Sequence, residues 1–388
     1  MDYFKLSETQ AGARDMARDF AQKILLPGVI ERDRNMHFPR ELIRQMGDMG
    51  LMGMIVSGQY GGSGLDTLSY VLTLEEISKI DASAAVILSV NNSLVCFGLE
   101  KYGTPEQKEK YLAPLAAGEW LGSFCLSEPE AGSDAMKQKT VALDKGDHYE
   151  ISGIKNWITN GFHSDIHLVF AQSDAALGHK GINVFIVEKS WPGITIGPKE
   201  DKMGIRASDT TSVQYDKVIV PRENRLGPEG FGFTFALSTL DGGRIGIAAQ
   251  ALGLAAGAYD RALRYSKERE TFGKPIFEHQ AVSFKLADMA TEIEGVRLLV
   301  YRAAWLKDQG KDYTAAASMA KYAAAEIAMK QTTQAVQIHG GNGYVREYHV
   351  ERMMRDAKIT QIYEGTSEIQ QLILSRELLK GNLYPSLY

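Results

Sequence analysis

GGRIGIAAQALGLAAGAYDRALRYSKERE, residues 242–270, is the segment that decides the fold class of this chain. It is rich in alanine and predicts one long helix. Two further segments with helical patterns follow it, at residues 279–310 and 315–339. The three helices are long enough to pack as a bundle, and their many small residues would allow close helix–helix contact.

The segment that precedes this bundle has a different pattern. Short runs rich in β-branched and aromatic residues alternate with turn residues, which predicts an antiparallel sandwich or barrel and not βαβ units. The runs are WLGSFCLSE (120–128), HYEISGIKNWITNG (148–161), DIHLVFAQ (165–172), INVFIVEK (182–189) and TSVQYDKVIV (211–220).

The first part of the chain has helical spacing, as in SETQAGARDMARDFAQKIL. Ser7, with Gln10 three positions later, fits a helix start. The sequence therefore predicts an α+β protein in which ligand pockets would form at domain junctions. Its parts are an N-terminal α-helical domain (1–118), a middle β domain (119–235) and a C-terminal helical bundle (236–388).

Length, composition and charge argue against several classes of function. The chain has 388 residues, which suggests two or three domains. Its net charge of −5, with no basic block, argues against nucleic-acid binding. No uninterrupted apolar run approaches the length of a bilayer, so no membrane span is predicted, and MDYFKLSETQ is not a secretory signal. Cys96 and Cys125 form no CxxC motif, which suggests a reducing compartment.

Common cofactor and nucleophile motifs are missing from the sequence. The glycine clusters at 61–64 and 340–343 match neither a Rossmann fingerprint nor a P-loop. His163 and His167 are four apart on a predicted strand, about 13 Å, which is too far to share one metal ion. No G-x-S-x-G or Cys–His signature occurs.

The segment ITQIYEGTSEIQQLIL (359–374) carries a lone acid, Glu364, on a glycine hinge ahead of a helix. Ser367 and Gln370 fit a capping box for that helix. The local pattern leaves open whether Glu364 is an ordinary solvated acid or a catalytic one. Arg269, near the end of the long helix, likewise fits either a solvated helix terminus or a phosphate clamp.

Four segments, taken together and in this order, carry a resemblance to a known family. They are FCLSEPEAGSDA (124–135), KNWITNG (155–161), RETFGKPIFEHQ (269–280) and QIHGGNGYVREYHVERMMRDAKITQIYEGTSEIQ (337–370). They resemble the acyl-CoA dehydrogenases over essentially the whole chain, and the α–β–α division is that family's fold. The resemblance implies an FAD enzyme of fatty-acid β-oxidation that converts short or branched-short acyl-CoA thioesters to trans-2-enoyl-CoA.

The resemblance also implies which residues bind FAD. The cofactor would be shared between subunits, which implies a homotetramer. In the middle domain the implied residues are Phe124, Leu126, Ser127, Ser133, Trp157, Ile158 and Thr159. In the bundle they are Arg269, Phe272, His279, Gln280, Gln337, Gly340, Gly341, Thr366 and Glu368, with Arg269 at the diphosphate of a neighbouring subunit's FAD.

For catalysis the resemblance implies that Glu364 takes the α-proton and that the β-hydrogen leaves as hydride to flavin N5. The thioester oxygen would accept a hydrogen bond from the backbone N–H of Glu364. Electrons would pass to an electron-transfer flavoprotein. The implied acyl-CoA contacts are Ser133, Asp241, Arg244, Tyr363 and Gly365.

Departures from relatives refine this expectation. Isovaleryl-type members carry their base at the position of Gly243, and glutaryl-type members carry an arginine at the position of Ala85. His339 stands where relatives often have Phe or Leu, with no role assigned. An acyl-CoA oxidase that uses oxygen, or a non-catalytic binding or assembly protein, are the alternatives. The expected location is the bacterial cytoplasm, or the mitochondrial matrix for a processed mature chain.

Overall fold

The computed structural model describes residues 5–381, in which helices precede and follow one main sheet. Ser7 and Gln10 exchange the two hydrogen bonds of a capping box, which confirms the predicted helix start. π-helical turns extend several of the first helices. These helices are α1 (Glu8–Phe20), α2 (Val29–Asn35), α3 (Arg40–Asp48), α4 (Thr67–Ser78), α5 (Ala82–Ser89), α6 (Phe97–Tyr102), α7 (Pro105–Gln107) and α8 (Ala113–Ala116).

One helical run in the described part of the chain, Ala82–Tyr102, is long and apolar enough to cross a membrane by length and composition alone. Asn91 and Asn92 interrupt this run, so the expectation that no uninterrupted apolar run reaches the length of a bilayer stays a prediction. Both asparagine side chains are hydrogen-bonded within the protein. Asn91 donates to the carbonyl of Met52 at 3.0 Å, and Asn92 donates to the carbonyl of Leu51 at 2.9 Å. The most apolar window of the run is 94% buried within the protein, as in a core helix.

The middle part forms an eight-stranded sheet in the order β6-β7-β3-β2-β4-β5-β8, with β1 paired to β4. Most neighbours are antiparallel, but β1 and β2 run parallel to β4, so the expectation of a purely antiparallel sheet is wrong. Neither strand reaches β4 through a hairpin, and only a hairpin imposes antiparallel pairing. The strands are β1 (Gly122–Cys125), β2 (Val141–Asp144), β3 (His148–Thr159), β4 (Ile166–Gln172), β5 (Ile182–Glu188), β6 (Ile194–Ile196), β7 (Thr210–Pro221) and β8 (Arg225–Leu226).

The long helices predicted for the last part are present. The first of them crosses α4 closely, because a Cβ on Gly253 or Gly257 would collide with the carbonyl oxygens of Glu75 and Lys79. A small hairpin, β9 (Glu270–Thr271) and β10 (Lys274–Pro275), connects the first two helices. The helices are α9 (Gly232–Glu268), α10 (Gln280–Asp308), α11 (Thr314–His339), α12 (Val350–Thr360) and α13 (Ser367–Leu379).

The start of α13 differs from the prediction by one residue. Thr366 is the N-cap, and its side chain accepts from the backbone N–H of Ile369 at 3.3 Å. Ser367 is already helical, and its hydroxyl donates to Glu326 on α11 at 2.6 Å. The proposed capping box of Ser367 and Gln370 is therefore wrong, because Glu326 takes the serine hydroxyl and leaves the cap to Thr366.

Candidate active site

Glu364 lies in the turn between α12 and α13, and its backbone is left-handed, with φ of 51°. Gly365 follows with φ of 91°. A left-handed glutamate is uncommon and needs support from its surroundings. Gln370 supplies part of it by donating to the carbonyls of Glu364 and Gly365 at 3.2 and 3.0 Å, and Lys321 donates to the Gly365 carbonyl at 2.6 Å.

The carboxylate of Glu364 faces the bare backbone of α9. The residue as a whole is half-buried, but its Oε2 is buried and has no hydrogen-bond partner among residues 5–381. A Cβ on Gly243 would collide with that oxygen. Burial raises the pKa of Glu364 to about 7, against the charges of Arg244 and Lys321, which lower it. An unpartnered, desolvated carboxylate of this kind is a candidate general base.

The polar side of this site is formed by Asp241 and Arg244, two of the acyl-CoA contacts that the resemblance implies. Arg244 is buried and pairs with Asp241, while its Nε has no partner in the described structure. Asp241 also accepts from Thr314 at 3.1 Å, and burial raises the pKa of its carboxyl. These groups lie beside Gly243 on α9, so the structure brings them together with Glu364.

The other side of the site lies one helical turn further along α9, at Gly246. There the hydroxyl of Tyr70 donates to Ser89 at 3.0 Å, and a Cβ on Gly246 would lie 2.6 Å from both oxygens. The hydroxyl of Tyr363 donates to Gln250, so this predicted pocket residue points away from solvent. Hydrogen-bonded side chains therefore limit the space beyond Glu364.

In the sheet domain, the predicted flavin residues lie along β1 and β3. Trp157 has a left-handed backbone, and its indole is 61% exposed. The side chain of Ile158 is instead buried in the sheet core, so only its backbone is available to a ligand. Phe124 packs on Phe170 at 4.8 Å, whereas Ser133 is exposed. The remaining residues of this group, Leu126, Ser127 and Thr159, are buried or half-buried.

A buried network fixes the loop that carries Leu126 and Ser127. The ammonium of Lys155 donates to the Leu126 carbonyl at 3.1 Å, to Glu128 at 2.8 Å and to Gln138 at 3.0 Å. Burial lowers the pKa of Lys155 to about 8, and Glu128 opposes that change. The loop from β1 to β2 is thereby tied to β3, the strand that carries Trp157 and Thr159.

The other predicted cofactor residues lie on outer surfaces of the bundle. Phe272, at the tip of the β9–β10 hairpin, is 97% exposed with φ of 54°. Its neighbours Arg269 and Gln280 are exposed, whereas His279 contacts the hydroxyl and carbonyl oxygens of Thr271 at 3.3 and 3.2 Å. At the end of α11 and the start of α13, the exposed residues of this set are Gln337, Gly340, Gly341 and Glu368.

Several residues near the site escaped sequence reasoning. Lys321, Tyr70 and Gln250 reach it from different helices, and no spacing links them to Glu364. A lysine on the buried side of the alanine-rich α11 is the one signal that was available. His339 also receives a structural explanation, because its Nδ1–H donates to the Ala335 carbonyl at 2.7 Å and its ring stacks on a tyrosine of α9.

The two histidines considered for metal binding have other contacts. His163 pairs with Asp209 at 2.5 Å, and His167 contacts the hydroxyl of Tyr215 at 2.9 Å. No group of three or more His, Cys, Asp or Glu side chains that could hold a metal occurs within residues 5–381. Two surface clefts, of about 620 and 270 Å³, are both lined by His349 and do not include Glu364.

The residues present fit a flavin dinucleotide. Trp157 offers an exposed aromatic surface beside the sheet, and Arg269 offers an exposed guanidinium suited to a diphosphate. At Gly340 and Gly341 the surface is open, since a Cβ on either would meet no atom within 4 Å. Close approach of a ligand to this backbone is therefore unobstructed.

Comparison with known proteins gives the family of the chain. Family models described as acyl-CoA dehydrogenase N-terminal, middle and C-terminal domains match residues 7–119, 123–218 and 230–379. The chain is 50% identical to the short-chain specific acyl-CoA dehydrogenase of Clostridium acetobutylicum, over 97% of this chain and 100% of that protein.

Solved structures show the same likeness. Butyryl-CoA dehydrogenase from Megasphaera elsdenii is 49% identical, with a TM-score of 0.95 over 97% of this chain and 99% of that one. A chain in a structure described as the electron transferring flavoprotein of Acidaminococcus fermentans is 52% identical, with a TM-score of 0.96 over 98% and 100%. These matches span every part of the chain that the site uses, and the chain therefore belongs to the acyl-CoA dehydrogenase family.

Proposed function

We propose that this chain is an FAD-dependent short-chain acyl-CoA dehydrogenase with Glu364 as its catalytic base. The observation that carries the proposal is the buried, unpartnered Oε2 of Glu364, which lies against the bare backbone of Gly243. A thioester α-carbon brought against this carboxylate would meet an oxygen already shielded from water, which is more basic than a solvated one.

The backbone around the base supplies the second requirement, stabilisation of the developing negative charge on the thioester oxygen. The N–H of Glu364 makes no hydrogen bond within the described residues. It is therefore available as a donor to that oxygen. When bound, FAD supplies the acceptor for the β-hydrogen, and Arg269, Trp157 and the backbone at Gly340 would hold it.

The two sides of the site suggest how the substrate is oriented. The charged groups Asp241 and Arg244 suit the polar pantetheine part of coenzyme A. The apolar acyl chain would then extend toward Gly246, where the Tyr70–Ser89 hydrogen bond limits its length. This arrangement supports a short-chain substrate and agrees with the names of the similar proteins.

The partners follow from the same proposal. The substrate is an acyl-CoA thioester, and the electron acceptor is an electron-transfer flavoprotein, the protein for which one similar structure is described. The exposed Phe272 hairpin supports a homotetramer whose subunits share FAD. We also propose that the protein does not span a membrane and that it works in the bacterial cytoplasm or the mitochondrial matrix.

An anaerobic titration of flavin colour across a panel of acyl-CoA esters tests the proposal. Rapid bleaching by butyryl-CoA, and slow bleaching by long-chain esters, is expected. Reoxidation by an electron-transfer flavoprotein should be faster than by oxygen; the reverse order would identify an acyl-CoA oxidase. Protein that cannot be loaded with FAD would refute the enzyme and leave the non-catalytic alternative.

The pH dependence of the reaction is a second prediction. Glu364 acts as a base only when ionised, and burial raises its pKa to about 7. The kcat/KM for butyryl-CoA should therefore be low in acid and rise through about pH 7, since this ratio reports groups of the free enzyme. A midpoint near the ordinary glutamate value of 4.5 would show a solvated carboxylate and contradict the site.

A third prediction concerns Arg269, proposed to bind the FAD diphosphate. Arg269→Ala should weaken FAD retention roughly tenfold, because a charge-assisted hydrogen bond to the diphosphate is lost. The flavin-to-protein absorbance ratio after gel filtration measures it. Arg44→Ala removes another exposed arginine, on α3, and should retain normal FAD. Equal FAD content in both variants would count against the clamp.

A further inference from the structure

Lys321 is a buried lysine in the middle of α11 that no step described so far uses. Its ammonium makes one hydrogen bond, to the Gly365 carbonyl at 2.6 Å, and has no ion pair among residues 5–381. Burial of an ammonium without a counter-ion is costly unless nearby groups compensate for the lost water. The position of Lys321 therefore calls for a function.

The charged groups that act on Lys321 come from three directions. They are Glu364 and Glu368 around the turn, Arg244 on α9 and Glu326 on α11, with Glu364 the strongest favourable one. Glu326 is already engaged by Ser367 and Gln361, whereas Oε2 of Glu364 has no partner in the described structure. Burial lowers the pKa of Lys321 to about 8, so the ammonium stays mostly charged at neutral pH.

We propose that Lys321 is a positioning residue for the base, holding the turn through the Gly365 carbonyl and keeping the Glu364 carboxylate ionised by its positive charge. The inference rests on the proposed function. Holding the turn and supplying positive charge can be tested separately, because Gln370 holds the turn but carries no charge. Its neutral amide donates to the same carbonyl at 3.0 Å without adding charge.

The positive charge of Lys321 opposes the effect of burial on Glu364. Burial alone would keep Glu364 protonated at neutral pH, and a protonated carboxyl cannot accept the α-proton. An ammonium held one residue away favours the carboxylate without a hydrogen bond to it, so both carboxylate oxygens stay free of Lys321. Arg244, which is paired with Asp241, acts in the same direction and more strongly, so the charge of Lys321 adds to that of Arg244.

The test compares three variants of the FAD-loaded enzyme by anaerobic reduction with butyryl-CoA at a series of pH values. Lys321→Met removes charge and donor, and we expect the midpoint to rise by about 1 pH unit. The rate at pH 7 should fall about tenfold and recover in part at higher pH. Gln370→Leu should slow reduction at every pH without moving the midpoint. Lys330→Met, which removes an exposed lysine of the same helix, should change neither.

A readout independent of turnover is the protonated-carboxyl band in infrared difference spectra, assigned by its loss in Glu364→Gln. It should titrate at higher pH in Lys321→Met. Should that variant not fold, Lys321→Gln keeps a donor and still loses the charge, and the same upward movement is expected. Lys321→Arg keeps the charge and should keep the midpoint.

An unchanged midpoint in Lys321→Met or Lys321→Gln, with only a loss of thermal stability, would overturn the inference and leave the base assignment intact. Failure of the proposed function has a different signature, because none of the acyl-CoA esters would then bleach the flavin of the unmodified protein.

Discussion

Replacing Glu364 with glutamine is expected to leave the bound flavin yellow and to slow its reduction by butyryl-CoA by about 10³- to 10⁴-fold. The amide has the size of the carboxyl group but cannot accept a proton. The left-handed turn should survive, since Lys321 and Gln370 bind main-chain carbonyls that the change does not touch. Anaerobic stopped-flow absorbance of the flavin measures the rate.

The control for this variant is Glu109→Gln, which neutralises an exposed glutamate distant in sequence from the site. It should reduce at the normal rate, and both variants should carry normal FAD. Bleaching of Glu364→Gln at an undiminished rate would show that another group takes the α-proton.

Gly243→Ala is the second change with a large expected effect. A Cβ at this position would collide with Oε2 of Glu364 and would lie 2.9 Å from Cδ2 of Leu94. The base must move away from the substrate, and a displacement of about 1 Å can cost about 10²-fold in rate. We expect that loss in the rate of flavin reduction, with little change in FAD content.

Gly242→Ala is the matched control, because it adds the same methyl group to the same helix. A Cβ there lies 3.2 Å from the flexible end of Lys307 and meets no other atom within 4 Å. Both changes gain similar helix propensity in α9, so thermal stability separates that effect from catalysis. Equal reduction rates in the two variants would mean that Glu364 does not lie against Gly243 during the reaction.

The long helices α9, α10 and α11 were predictable because each is set by local composition over many turns. Five strands of the sheet lie in predicted runs, whereas β2, β6 and β8 were missed, since strands of two to four residues carry little pattern. β1 is also four residues long but lies within the longer predicted run WLGSFCLSE. The parallel pairing of β1 with β4 depends on the path of the connecting chain, which local spacing does not encode.

The site could be predicted from the sequence only in part. Glu364, Asp241 and Arg244 were assigned from motif resemblance, and the structure brings them together. Their physical setting was not predictable, because it arises where α9, α11 and the turn before α13 meet. The contact of Gly243 with the Glu364 carboxylate joins residues far apart in the chain, and so does the bond from Lys321 to Gly365.

The length of α9 gives the separation between the base and the predicted diphosphate-binding arginine. Gly243 lies opposite the base, while Arg269 follows the last residue of the same helix, so at 1.5 Å per residue about 39 Å of helix separates them. The proposed roles put the reactive ring of the cofactor beside Glu364 and the diphosphate on Arg269, at the two ends of this span. On the proposed roles of Glu364 and Arg269, each centre would therefore take them from two copies of the chain, and the smallest such unit would be a closed pair with two centres.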